Sequence, residues 1–211
     1  MFSDRERVQA YLDSDPLRQL VALSYLHTYF DDVICYYHES SPQRQAMLLL
    51  LAAELSPRDQ ASYPQAQWIA VFSANDREAA NALLPYVPQS QPSVIKCSDA
   101  LSRTLLQNQR ARFARSLISY TAPGHNGYTA SDAVTVSTGL DERCLPLWQA
   151  GGGHEDSIRL YFHRGALAFT QYEQDQPIAT CFAYPSYGDI WEVAGVYAQR
   201  QRELGRLVMG T

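Results

Sequence analysis

Six apolar residues in succession, Ala46-Met47-Leu48-Leu49-Leu50-Leu51, place the tightest limit on what this chain can become. A short continuous apolar run bounded by turn signals is the pattern of a strand buried on both faces, so the sheet that holds it needs cover on both sides. Val33 to His38 precedes it as a partner strand, and Ser40-Ser41-Pro42 supplies the turn of a hairpin. Trp68-Ile69-Ala70-Val71-Phe72 is a third strand and Ser93-Val94-Ile95-Lys96 a short fourth.

Helices flank these strands. Ser3-Asp4-Arg5-Glu6 has the form of a capping box, and the helix it opens is expected to run to Asp13 with Val8, Tyr11 and Leu12 on its apolar face. Asp15-Pro16 is expected to start a second helix with proline in its first turn, carrying Leu17, Leu20, Val21, Leu23, Tyr25 and Leu26 toward the sheet. Asn75-Asp76-Arg77-Glu78 caps a helix through Leu84, and Asp99 to Gln107 makes another. Phe113 to Tyr120 is expected as a connecting strand. The turn-rich stretch Ala122-Pro123-Gly124-His125-Asn126-Gly127 then separates a first lobe, 1–121, from a second, 122–211.

In the second lobe Ala133 to Ser137 is a strand and Asp141 to Ala150 a helix that Gly151-Gly152-Gly153 ends. A short helical or irregular piece, Asp156 to His163, leads to strands at 166–172 and 178–184. The chain closes on Trp191 to Tyr197, a strand that passes through a basic turn with one glycine into the first turns of a helix. Free N–H groups at a helix N-terminus attract anions, so this closing stretch is a candidate phosphate site. Both halves share a strand–strand–strand–helix order, which suggests an internal repeat.

Composition narrows the function classes. Of 211 residues 46% are hydrophobic, enough for one large core or two smaller ones, and the net charge of −5 with 17 scattered Lys and Arg residues argues against nucleic acid as a partner. The longest apolar run is too short to span a bilayer and the N-terminus lacks a signal-peptide layout, so the expected location is cytoplasmic. Cys35, Cys97, Cys144 and Cys181 lie far apart, as small buried hydrophobes do in a reducing compartment. The dispersed cysteines and histidines give a metal site no support. The 14 tyrosines suit sheet packing better than a stacking platform.

The C-terminal lobe resembles the GNAT superfamily of N-acetyltransferases. The resemblance rests on the hairpin Phe169 to Tyr184 with its turn Gln174-Asp175-Gln176-Pro177, the strand ending Gly195-Val196-Tyr197, and the loop Arg200-Gln201-Arg202-Glu203-Leu204-Gly205. The whole chain looks like the subgroup in which a degenerate GNAT-like lobe precedes a catalytic one. That implies an α/β (α+β) fold of two lobes, each a mixed, mostly antiparallel sheet flanked by helices, with the second lobe incomplete because the chain stops at the pyrophosphate-loop helix. It also implies acetyl-CoA as co-substrate and an amine as acceptor. By position, Val196 and Tyr197 would offer main-chain contacts to the pantetheine arm, and Arg202, Leu204, Gly205 and Arg206 would meet the pyrophosphate. Trp68 to Leu84 joins its strand and helix without a basic, glycine-rich loop, so the first lobe would hold no cofactor.

The sequence departs from the family pattern at Glu203, which puts a carboxylate and a side chain where a glycine would let backbone approach a phosphate. Glu192 fits a general base or a cross-strand partner, and Tyr197 fits an acetyl contact or core packing. Gly151-Gly152-Gly153-His154 fits an anion nest or, better, a helix stop. Two functions are therefore in view. One is transfer of an acetyl group from acetyl-CoA to an amine; the other is an inactive GNAT-like module that recruits a second copy through the open edge of its last strand.

Overall fold

Leu48 and Leu49 lie fully inside, and every residue from Ala46 to Leu51 is buried, because the apolar run is the second strand of a sheet covered on both faces. The computed structural model describes residues 5–108, 111–112 and 132–199. The chain divides into two units, Met1–Ser116 and Leu117–Thr211. Its architecture is mixed α/β: two four-stranded sheets with seven α-helices among the described residues.

The first unit runs α1 (Arg5–Asp13), α2 (Leu20–Thr28), β1 (Ile34–Ser41), β2 (Arg44–Ala52), α3 (Pro57–Ser62), β3 (Trp68–Ala74), α4 (Arg77–Leu83), β4 (Ser93–Cys97) and α5 (Ala100–Asn108). Its sheet order is β1-β2-β3-β4, antiparallel except for the parallel pair β3/β4. Strand parity sorts the core. Leu48, Leu50, Ala70, Phe72 and Ala74 face Ala79, Ala80 and Leu83 of α4 and Leu105 and Leu106 of α5. The opposite parity faces α1 and α2, where Tyr11 Oη and Ser73 Oγ lie 3.3 Å apart and Gln19 Nε2 donates to Ser73 Oγ at 2.9 Å.

The expected start of α2 at Pro16 is corrected: α2 begins at Leu20. Asp15 holds the preceding residues in a turn, its Oδ1 accepting from the Arg18 N–H at 3.3 Å and its carbonyl from the Gln19 N–H at 3.0 Å. Short local side-chain bonds of this kind compete with helix. The short helix α3 stands where periodicity in the sequence marks no element, although Ser56-Pro57, a residue that favours caps followed by proline at the first helical position, is a start signal.

Helix α3 contributes the most deeply set charge in this unit. Asp59, 2% exposed, accepts hydrogen bonds from Ser56 Oγ at 2.7 Å, from Lys96 Nζ at 2.7 Å and from the Tyr25 hydroxyl. Lys96 Nζ also donates to the Tyr25 oxygen at 2.6 Å. Burial works to raise the Asp59 pKa, but the bonds from Lys96, Tyr25 and Ser56 outweigh it and hold the carboxyl below its ordinary value. Burial, with the Asp59 carboxylate beside it, pushes the Tyr25 phenol upward. One ionic cluster thus ties α2, α3 and β4 together.

The second unit runs β5 (Val134–Ser137), α6 (Leu145–Ala150), α7 (Glu155–His163), β6 (Leu167–Glu173), β7 (Gln176–Tyr187) and β8 (Ile190–Ala198), in one antiparallel sheet ordered β5-β6-β7-β8. Gln174 (φ 48°) and Asp175 (φ 62°) make the two-residue hairpin turn between β6 and β7, with the pair of positive φ values that matches strand twist. The helix expected from Asp141 begins only at Leu145, because the Asp141 carboxylate accepts the Arg143 backbone N–H at 2.9 Å and closes a turn. The Arg143 guanidinium then holds that carboxyl down to about 2, opposed by burial and aided by the Tyr172 hydroxyl. Arg143 Nη1 also reaches the Asp175 carbonyl at 2.8 Å, pinning the hairpin turn. Phe113 to Tyr120 lies outside the described residues.

Replacing Lys96 by methionine leaves the Asp59 carboxylate buried without its cation. The expected loss is about 3 kcal/mol of unfolding free energy, at the lower end for a buried pair because the Lys96 side chain is 27% exposed. Urea denaturation followed by circular dichroism measures it. The sign of the pH dependence follows from the depressed Asp59 pKa. Its contribution is present above the unfolded carboxylate value of about 3.9 and is lost as pH falls through the lower folded value, so the wild type loses stability in acid more steeply than Asp59→Asn.

Candidate active site

Strand β8 shifts register once after Ile190, keeps one register from Trp191 to Ala194, and then breaks it again. Glu192 pairs with Tyr184, Val193 with Ala183 and Ala194 with Phe182, but Tyr197 pairs with Thr180, so Gly195 and Val196 together oppose the single residue Cys181. This is a β-bulge opened by Gly195 at φ +62°, a conformation that glycine adopts without penalty. Bulges bend a strand and take peptide groups out of the ladder, where they can meet a ligand.

The packing leaves no other residue possible at this position without a shift. A Cβ on Gly195 would stand 2.6 Å from Phe182 Cε1 and 2.6 Å from Trp148 Cδ1. Trp148 comes from α6, stacks on Phe162 of α7 at 5.5 Å and meets Phe182 of β7 edge-on at 4.9 Å. Trp148 of α6, backed by Phe162 of α7, and Phe182 of β7 therefore press on the bulge. The indole Nε1 of Trp148 is buried and has no hydrogen-bond partner among the described residues.

Glu192 lies on the same helix-covered face, three residues before the glycine. The Tyr184 hydroxyl donates to its Oε2 at 3.2 Å and the Ser186 hydroxyl to its Oε1. The Tyr184 ring stacks on Tyr161 of α7 at 4.0 Å and 15°. Two hydroxyl donors and an aromatic wall hold this carboxylate in one place, along the strand from the bulge. It is thus a cross-strand partner of Tyr184 whose two oxygens accept from two hydroxyls.

Tyr197, paired with Thr180, shares the face of the buried Thr170–Thr180 hydroxyl pair, and it is half-buried. The bulge turns Val196 to the opposite face. There Trp191, Val193 and Val196 are 46%, 53% and 54% exposed. Beyond β7, no strand pairs with β8 among the described residues, so one edge of the strand, bulge included, is unpaired there. Val196 is part of the bulge and Tyr197 follows it. Arg202, Leu204, Gly205 and Arg206 lie outside the described residues.

Sequence reasoning passes over Gly195, Trp148, Tyr184 and Ser186 as site residues. A glycine inside an otherwise apolar strand is a bulge signal, so Gly195 is within reach. The other three are brought to β8 by packing and carry no signal of their own. Gly151-Gly152-Gly153 stops α6, with Gly152 at φ +91° and the Gly153 N–H bonded to the Trp148 carbonyl at 3.0 Å. That bond helps fix the turn that carries Trp148.

The matching position of the first unit differs. After β3, Asp76 caps α4, its Oδ1 accepting the N–H groups of Glu78 at 2.9 Å and Ala79 at 3.1 Å, and the Asp99 carboxylate accepts the Ala74 N–H at 3.2 Å. An anion there would have to displace carboxylates. The first unit does contain a cavity of about 610 Å³ between α1 and the β1–β2 hairpin, where Arg7 and Glu39 pair at 3.0 Å. Among the described residues no cluster of His, Cys, Asp and Glu could hold a metal ion, and no helix is long and apolar enough to cross a membrane.

No family model matches the sequence, and no curated protein matches it. Among solved structures the chain is similar to a GCN5-related N-acetyltransferase-like protein from Streptococcus suis, at 13% identity over 93% of this chain and 82% of that one, with a TM-score of 0.30.

Gly195→Ala is expected to destabilise the second unit by about 1–3 kcal/mol, since it adds both a strained positive φ and an overlap with two ring atoms. The comparison is Gly188→Ala, also at positive φ but with open space around it, which carries the backbone strain alone. Equal losses for the two in chemical denaturation would remove the packing argument.

Proposed function

We propose that the second unit transfers an acetyl group from acetyl-CoA to an amine, as a GNAT-type N-acetyltransferase. The observation that carries this reading is the glycine bulge in the edge of β8 that pairs with no strand among the described residues, with a hydroxyl-held carboxylate three residues before it on the helix face. It is supported by the sequence resemblance of Phe169 to Gly205 to that family. In this reading the chain comprises a degenerate lobe, 1–121, and a transferring lobe, 122–211, working in a reducing compartment such as the cytoplasm.

The residues of this chain suit that co-substrate. An extended pantetheine arm has amide groups that add to an open strand edge as a further strand would. The peptide N–H groups at Gly195–Val196 offer fixed dipoles to the thioester carbonyl, which costs no reorganisation when charge develops on the oxygen. Acetyl-CoA supplies an activated acyl carbon when bound. Glu192 accepts the proton that the amine gives up as its nitrogen bonds to that carbon and the carbon–sulfur bond breaks, and that proton passes on to the leaving sulfur, which departs as the thiol. Tyr184 and Ser186 keep the carboxylate turned toward the acceptor. Tyr197 contacts the acetyl group, and Arg202, Leu204, Gly205 and Arg206 meet the pyrophosphate.

The edge that takes the pantetheine arm is also the edge that a second copy would pair with, so self-association and co-substrate binding compete. Calorimetric titration with acetyl-CoA tests the reading directly. A dissociation constant in the micromolar range is expected, with a rise in melting temperature by mass action; absence of binding at millimolar acetyl-CoA would sink the proposal. Glu192→Gln is expected to lower the rate of thiol release with a panel of primary amines by about 10²–10⁴-fold while leaving acetyl-CoA affinity unchanged.

A further inference from the structure

Trp148 is 1% exposed, and its indole N–H has no partner among the described residues. A buried tryptophan N–H ordinarily finds an acceptor, and one left without carries the cost of its lost hydration. Its surroundings do not relieve that cost, because the rings nearest it are the apolar Phe162 and Phe182. Such orphans are rare in a well-packed core, and they concentrate where a ligand or a reaction has use for them.

The position of this one fits that use. Trp148 Cδ1 stands 2.6 Å from the point where a Cβ on Gly195 would be. Nε1 is bonded to Cδ1 at roughly 1.4 Å and so lies within about 4 Å of the same point. The unpartnered donor is therefore held against the bulge glycine itself. No carbonyl of the bulge accepts from it.

We propose that the Trp148 indole N–H is a second donor to the acyl carbonyl of acetyl-CoA, joining the backbone N–H groups of the Gly195–Val196 bulge. This rests on the acetyltransferase reading and adds a side-chain contact to it. A donor kept free of water and of protein acceptors is preorganised for an oxygen that gains negative charge as the thioester is attacked. The free chain holds the N–H closed to solvent, so contact requires the bulge to shift on binding. The consequence is a preference for acetyl-CoA over CoA, since only acetyl-CoA carries the carbonyl.

The test compares the two ligands on the full chain. The ¹H–¹⁵N indole resonance of Trp148, assigned by its loss in Trp148→Phe, is followed while acetyl-CoA and then CoA are added. It is expected to move with acetyl-CoA and to stay in place with CoA. In parallel, Trp148 is replaced by 3-benzothienylalanine, which substitutes sulfur for the N–H in a ring of almost the same shape. The variant is expected to bind CoA as the wild type does and acetyl-CoA about 10-fold more weakly, the size of one hydrogen bond. If acetyl-CoA binds but the resonance does not move and the acetyl-CoA to CoA ratio is unchanged, the Trp148 proposal falls and the acetyltransferase reading stands. If neither ligand binds the wild type, both fall.

Discussion

The close approach of Trp148 and Phe182 to Gly195 holds the second unit's site in shape. With no Cβ at this one position, two aromatic rings move into the space a side chain would fill, and the strand responds by taking a positive φ and an extra residue. The bulge is thereby packed from the helix side while its other edge carries no partner strand among the described residues. The parity change that follows puts Val196 on the face opposite the helices and Tyr197 back on the helix face. Glu192, ahead of the bulge, keeps its own parity and its two hydroxyl donors. A bulge beside a hydrogen-bonded carboxylate is thus a product of packing among neighbouring rings.

The two sheets show how similar orders of elements are put to different use. Each unit has two helices followed by three antiparallel strands, α1-α2-β1-β2-β3 in the first, with α3 inserted between β2 and β3, and α6-α7-β6-β7-β8 in the second. In the first, α4 and α5 cover the second face of the sheet, and the polar groups at the end of β3 are consumed by Asp76 and Asp99. Its most deeply set charge, Asp59, is paired with Lys96. In the second unit the corresponding face shows Trp191, Val193 and Val196 among the described residues. The end of the third strand differs too, carrying a glycine bulge where the first unit has an unbroken ladder through Ala74.

How much of this is legible from residues alone depends on how local the cause is. The strand Ala46–Leu51 announces itself because continuous apolar character in so short a segment fits little besides a strand covered on both faces, and α4 because Asp76 stands where a cap must stand. Boundaries go astray where a polar side chain bonds its own backbone. Asp15 delays α2 to Leu20, and Asp141 delays α6 to Leu145, since carboxylates near a helix start can close a turn as readily as cap a helix. At the site, Glu192, Val196 and Tyr197 stand out because they sit on a recognisable strand. Tyr184, Ser186 and Trp148 do not, because nothing in their neighbours along the chain distinguishes them from ordinary sheet and helix residues.

The sequence by itself determined the order of helices and strands apart from α3, the two-sheet α/β class and the covered state of β2. These follow from periodicity, caps and turns, which act over a few residues. Tertiary structure alone decided the register break opposite Cys181, the seating of the Trp148 indole against Gly195, and the pairing of Asp59 with Lys96 and Tyr25 across 37 and 34 residues of chain. Each of those depends on which faces meet when the sheet is covered, and a face is a property of the folded layers rather than of any stretch of sequence.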